Sequence, residues 1–248
     1  MGVDKFNYEG YFDPTTYAWR KKMKKSTMNG RRIPYELSFD ELKKLCLSSH
    51  GMDFALACEA IASVETSEAY QFLKSFLSDK DKYRRLNVLE VIFGYPDSKE
   101  LYPLLIKYLQ SEDILFVRRA AEIISKTPIS VPDTALTTTL EKYPNDDVIY
   151  LIIRKLSKNN ENFDFLTQLF HKTEKCSCQE TIAEFLVSAF GGTKPKEIFD
   201  LLRKSPFGKI RCVSLKHGFE NHYNLSCFES DADGHVKKCL LRLQQTAK

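Results

Sequence analysis

The sequence predicts an all-α solenoid of stacked helix pairs, and three observations predict it. From Ser38 almost to Lys248, apolar residues recur at helical spacing in short blocks. Glycine and proline number only 10 and 9, few punctuation points for a β-rich chain, while Leu, Lys, Glu and Ala favour helix. The blocks also come in pairs with a step of about thirty residues, as helical repeats do.

Residues 1–36 read as a separate leader or cap. They hold Phe6, Tyr8, Tyr11, Phe12, Tyr17 and Trp19, then the basic residues Arg20, Lys21, Lys22, Lys24, Lys25, Arg31 and Arg32. Asp13-Pro14, Asn29-Gly30 and Ile33-Pro34 interrupt this stretch, which confines any helix to about 15–25. The aromatics are suited to covering the open apolar end of the first pair, because terminal repeats need a cap. Trp19, Arg20, Lys21 and Lys22 are the candidate partner contacts of the leader.

Residues 37–248 read as the solenoid domain, with about seven pairs, at 38–63, 66–93, 98–125, 133–157, 162–190, 195–217 and 221–245. Second helices align best. Asp81 precedes Arg84, Arg85, Val88, Leu89, Val91 and Ile92; Asp113 precedes Val117, Arg118, Arg119, Ala120, Ala121, Ile123 and Ile124, 32 positions on. Asp147 opens a looser copy with Arg154 and Lys155, and Asp233 a closer one with Val236 and Lys237. The copy at 177–190 carries Glu180 and Glu184 where arginine is expected. Each leading aspartate can accept from unpaired N–H groups at the helix start and meet the positive end of its dipole. A pair cannot bury both its apolar faces alone, so stacking is the expected solution. The pattern breaks too often for sustained coiled-coil heptads.

The Asp-x-x-x-Val-Arg-x-x-Ala helix, clearest at Asp113, Val117, Arg118 and Ala121, resembles a HEAT repeat. That resemblance implies a right-handed α-α superhelix of the HEAT/armadillo type, with second helices lining the concave face. The string Tyr11 to Tyr17 is similar to leader segments of small bacterial proteins and implies a bacterial source.

Over the second helices basic residues outnumber acidic ones, although the whole chain carries only 37 Lys and Arg against 33 Asp and Glu. The candidate partner-binding residues are therefore Arg84, Arg85, Arg118, Arg119, Arg154 and Lys155. They suit an acidic protein or peptide, and alternatively a nucleic-acid backbone. The competing use of these cations is internal, since HEAT-like arginines commonly bond aspartates of adjacent repeats.

Other chemistry is not called for. Glu229, Asp231, Asp233 and Gly234 begin like a calcium loop, but the twelfth position is Leu240, so a capping turn explains them better. Cys176, Cys178 and His171, or His235 and Cys239, lack a second close ligand pair for zinc, and Cys239 falls in an apolar stripe. No metal or other cofactor is expected. Gly191-Gly192 reads as a helix end rather than a phosphate loop, and no nucleophile–base motif occurs. Some alkylpurine DNA glycosylases are HEAT-like, which makes a base-excision enzyme the third alternative, although the lone Trp19 leaves no aromatic-plus-acid site to assign. Seven cysteines, no leading signal segment and no apolar run of about 20 residues predict a reduced cytoplasmic protein off the membrane. The expectation is a non-enzymatic scaffold.

Overall fold

The computed structural model describes residues 27–28 and 31–246. It is all-α apart from one two-residue ladder, with thirteen α-helices among the described residues. Contacts divide the chain into two compact units, before and after the Ser130–Val131 bond. The division falls within Thr127–Asp133, where Pro128 and Pro132 disfavour helix in the residues before them. The aromatic and basic leader positions up to Lys25 lie outside the described residues.

The first unit opens on an antiparallel ladder of β1 (Thr27–Met28) and β2 (Arg31–Arg32), which pairs Thr27 with Arg32 and Met28 with Arg31. Asn29-Gly30, an interruption of the helical pattern, is also a strong hairpin signal. Three helix pairs follow. α1 (Phe39–Ser48) starts at a capping box, with Ser38 and Glu41 satisfying each other's backbone N–H groups. α2 (Gly51–Ala62) turns back directly, Gly51 taking φ +56°. α3 (Ser67–Ser75) is capped by Thr66, and α4 (Lys82–Ile92) by Asp81, whose carboxylate accepts from the Tyr83 N–H. α5 (Tyr102–Leu109) leads to α6 (Ile114–Lys126), where Asp113 accepts from the Leu115 N–H.

Within each pair the two helices pack together, and the second helices pack in succession, α2 on α4 and α4 on α6. Their shared face is apolar: Phe54, Ala57, Cys58, Ile61, Val88, Ile92, Val117, Ala120 and Ile124 are buried. Two buried tyrosine hydroxyls are matched. The Tyr70 hydroxyl donates to Glu100 (2.6 Å) and the Tyr95 hydroxyl to the Ile61 carbonyl (3.2 Å).

The second unit repeats the scheme with α7 (Asp133–Lys142), α8 (Val148–Ile152), α9 (Asn160–Lys172), α10 (Cys176–Phe190), α11 (Pro195–Leu202) and α12 (Gly208–Glu220). Here α8 packs on α10 and α10 on α12, again second helix on second helix. The looser copy at 147–158 is a single short helix continued by a 3-10 turn at Ile153–Lys155; Val148, Ile149, Ile152 and Ile153 are β-branched and restrict helical rotamers. The expected pair over 221–245 differs more. Its first half is only a 3-10 turn, Ser226–Phe228, and α13 (Gly234–Thr246) packs directly on α12. His222 in the left-handed region (φ 58°) follows the end of α12, and the short segment after it packs Leu225 and Phe228 on the core through a single turn.

Gly218 marks a close helix crossing in this unit. A Cβ there would run into the ring of Phe199 on α11 and touch Leu225. Exposed mid-helix Gly→Ala changes normally stabilise by about 0.5–1 kcal/mol. At this crossing overpacking reverses the sign, and Gly218→Ala should destabilise by about 2 kcal/mol. A urea melt checks it; a raised midpoint would show that the crossing is loose.

Candidate functional site

The second helices place their cations on two different sides. Arg84 and Arg85 are adjacent, about 100° apart around α4. Arg84 turns inward, its side chain only 13% exposed, and its guanidinium donates to the carbonyls of Cys46 (3.3 Å) and Ser49 (2.6 Å) at the end of α1. Arg85 turns the other way, toward α6. It donates to the main-chain carbonyls of Asp79 and Lys80 and lies 5.2 Å over the Phe116 ring.

Around Arg85 the first unit forms an open cleft of about 580 Å³, lined by Lys82, Arg85, Lys107, Tyr108, Gln110, Ser111, Asp113 and Phe116. Each wall has a local origin. Lys82 and Arg85 are three apart on α4 and so share a face. Lys107 and Tyr108 come from the last turn of α5, and Gln110 and Ser111 from the turn after it. Phe116 rises from the first turn of α6 and stacks on Tyr108 with centroids 4.6 Å apart and planes at 18°.

Three cations thus face one anion. Asp113 receives Lys82 at 3.0 Å while capping α6. The Lys82 bond holds the Asp113 carboxyl below the usual range, and Asp113 in turn raises the Lys82 ammonium. Burial pushes the Tyr108 phenol up, against the pull of Arg85 beside it. Lys107 is exposed and has no ion-pair partner among the described residues. The arrangement presents surplus positive charge beside an aromatic stack. Nothing in it pairs a nucleophile with a base.

The other sequence candidates are spread apart. Arg119 is half-buried between Glu90 and Glu122, both at 3.1 Å. Arg118 is exposed on α6. In the second unit Arg154 is exposed, and burial lowers the pKa of the half-buried Lys155 ammonium. Trp19, Arg20, Lys21 and Lys22 lie outside the described residues.

Several conspicuous charges bridge successive pairs instead. Lys82 reaches Asp113 and Arg119 reaches Glu90 in the first unit; Lys172 reaches Glu141 and Lys175 reaches Asp147 in the second. Asp231 is held by Arg211, and Asp233 caps α13. Cys178 is buried with its thiol directed at the Asp146 carbonyl. Among the described residues no three His, Cys, Asp or Glu side chains are grouped to hold a metal ion, and no helix is long and apolar enough to cross a membrane.

Counting charge on second helices alone missed Lys107 and Tyr108, which sit on a first helix. The usable signal was the short turn from α5 to α6, which folds Tyr108 back against Phe116. Neither protein-family models nor curated proteins give a match to this chain. Its class is accordingly defined by the fold alone, an all-α protein of packed helix pairs.

Proposed function

We propose that this protein is a non-enzymatic interaction scaffold, a HEAT-like α-α superhelix of the cytoplasm that holds an acidic protein or peptide. The observation that carries the reading is the cleft between α4, α5 and α6, where Lys82, Arg85 and Lys107 surround the Tyr108–Phe116 stack with only Asp113 opposing them. Charge surplus favours an acidic partner and speeds its encounter, while the aromatic walls offer apolar contact that a purely solvated charge would lack. Within the same unit, the exposed Arg118 on α6 offers a further contact.

The test is fluorescence anisotropy with a labelled peptide in which glutamates flank one phenylalanine. Reversing one exposed cation in the cleft, Lys107→Glu, should weaken binding roughly tenfold, about 1.4 kcal/mol, and added salt should weaken it in the wild type. Unchanged affinity in the variant would remove the cleft as the site. Duplex and single-stranded DNA serve as competing probes. Retention of DNA with a steep salt dependence, and no retention of peptide, would replace the acidic-protein reading with nucleic-acid binding.

A further inference from the structure

We propose that the α4–α5–α6 cleft is a phosphomonoester site, taking the phosphate of a phosphorylated side chain on a partner peptide. The inference rests on the preceding reading of the cleft and names the group that it recognises. Two observations carry it. The first is the charge balance. Lys82, Arg85 and Lys107 against Asp113 leave a surplus of two positive charges within one cleft. A carboxylate supplies one negative charge, whereas a phosphomonoester supplies about 1.5 to 2 at neutral pH and offers three acceptor oxygens. A single phosphate therefore matches what the cleft leaves unbalanced.

The second observation is the fixing of the donors. Asp113 anchors Lys82 at 3.0 Å, and the carbonyls of Asp79 and Lys80 together with the Phe116 face anchor Arg85. Both cations are held before any ligand arrives, so less rotamer freedom is lost on binding. Lys107 stands exposed on the opposite wall, and the Gln110 amide is exposed next to it. The cleft is open, so a side chain carried by an extended peptide can enter it. Nearby on α6, Arg119 and Lys126 are met by Glu90 and Glu122, two cations against two anions.

The pH dependence has one titrating partner. Asp113 stays ionised between pH 5 and 7.5 because Lys82 holds its carboxyl low, while Asp113 in turn raises Lys82 and burial raises the Tyr108 phenol. The phosphomonoester loses its second charge on acidification, with a pKa near 6.

The experiment uses the full chain and three labelled peptides with otherwise neutral residues: one phosphotyrosine peptide, its tyrosine twin and its glutamate replacement. The phosphopeptide should bind at least about tenfold tighter than either control, a difference of about 1.4 kcal/mol. Inorganic phosphate should compete with it, and its affinity should fall several-fold from pH 7.5 to 5. Lys107→Ala and, independently, Gln110→Glu should each weaken it about tenfold without shifting the melting temperature. Equal binding of phosphopeptide and glutamate peptide, no competition by phosphate, or indifference to both variants overturns the proposal. If the glutamate-rich peptide of the preceding test binds through Lys107 while phosphorylation adds nothing, the phosphate assignment fails and the acidic-partner reading stands. If neither class binds, both fail.

Discussion

Replacing Arg84 with alanine should destabilise the first unit by about 3 kcal/mol, one of the two largest single-site effects expected in this protein. The side chain is not a surface charge. One terminal nitrogen donates to the carbonyls of Cys46 (3.3 Å) and Ser49 (2.6 Å), and the other reaches the Asp79 carboxylate at 3.4 Å. These carbonyls belong to the last turn and cap of α1, which have no intrahelical donors, so the guanidinium caps the helix and meets the negative end of its dipole. Its Cζ lies 4.8 Å from the centroid of the Phe54 ring and 5.7 Å from that of Phe76, so the charge sits over two aromatic rings as well as being bonded. Truncation would leave the carbonyls buried without a donor. The Arg84 Nε and the Ser49 hydroxyl have no protein partner, which keeps the net value below the sum of its bonds. A loss of this size corresponds to at least roughly 10 °C in the melting temperature of a unit of about 100 residues. Arg84→Lys should restore less than half of it, because one ammonium cannot reproduce the planar fork or the stacking. Arg154→Ala, an exposed arginine of the same sequence class, should fall within about 0.5 kcal/mol of wild type. A melting curve for Arg84→Ala that overlays the wild type would show that Arg84 does not hold α1 to α4.

The neighbouring pair Arg84 and Arg85 shows what the sequence could and could not reveal. The caps at Asp81 and Asp113 were legible because a cap is a local event: an aspartate, two residues and a free N–H. The helix pairs were legible for the same reason, since each apolar block carries its own period. Which of two adjacent arginines faces inward depends on whether α1 or α6 lies over that side of α4, and that is a tertiary fact. The cleft depends on it too. Lys107 is an ordinary surface lysine until α6 brings Phe116 against Tyr108, and no count along one helix class could join them. The final pair failed differently. The Asp233 cap and the stripe of Val236 and Leu240 mark a helix, but its expected partner at 221–228 sets Tyr223, Leu225 and Phe228 between the turn-forming residues Asn221, Asn224 and Ser226, and packs on the core as a turn. Pro128 and Pro132 lie where the two units divide, with apolar periodicity on either side of them.

The same region carries the other large prediction. Arg211 on α12 meets Asp231 in a bidentate pair, Nε to Oδ2 at 2.7 Å and Nη2 to Oδ1 at 2.8 Å, with side chains only 15% and 8% exposed. The remaining Arg211 nitrogen donates to the Ser205 and Pro206 carbonyls, both at 2.9 Å. Asp231 also accepts from the Asp233 N–H, and Asp233 caps α13. One carboxylate therefore ties the end of the α11–α12 turn to the start of the last helix. Asp231→Asn leaves Arg211 partly buried without its counter-charge and should remove about 3 kcal/mol at pH 7. The Arg211 bond lowers the Asp231 pKa in the folded state, below the unfolded value near 3.9. A lowered folded pKa stabilises the protein fully above the unfolded value and loses that contribution as pH falls through the folded one. Urea midpoints should thus separate wild type from Asp231→Asn widely at pH 7 and pH 5 and converge below about pH 4. A gap that stays constant to pH 3 would mean that the carboxylate acts by shape alone. Adding Arg211→Met to Asp231→Asn distinguishes the two directly, because removing both charges should cost less than the sum of the single changes if the pair is what joins α12 to α13.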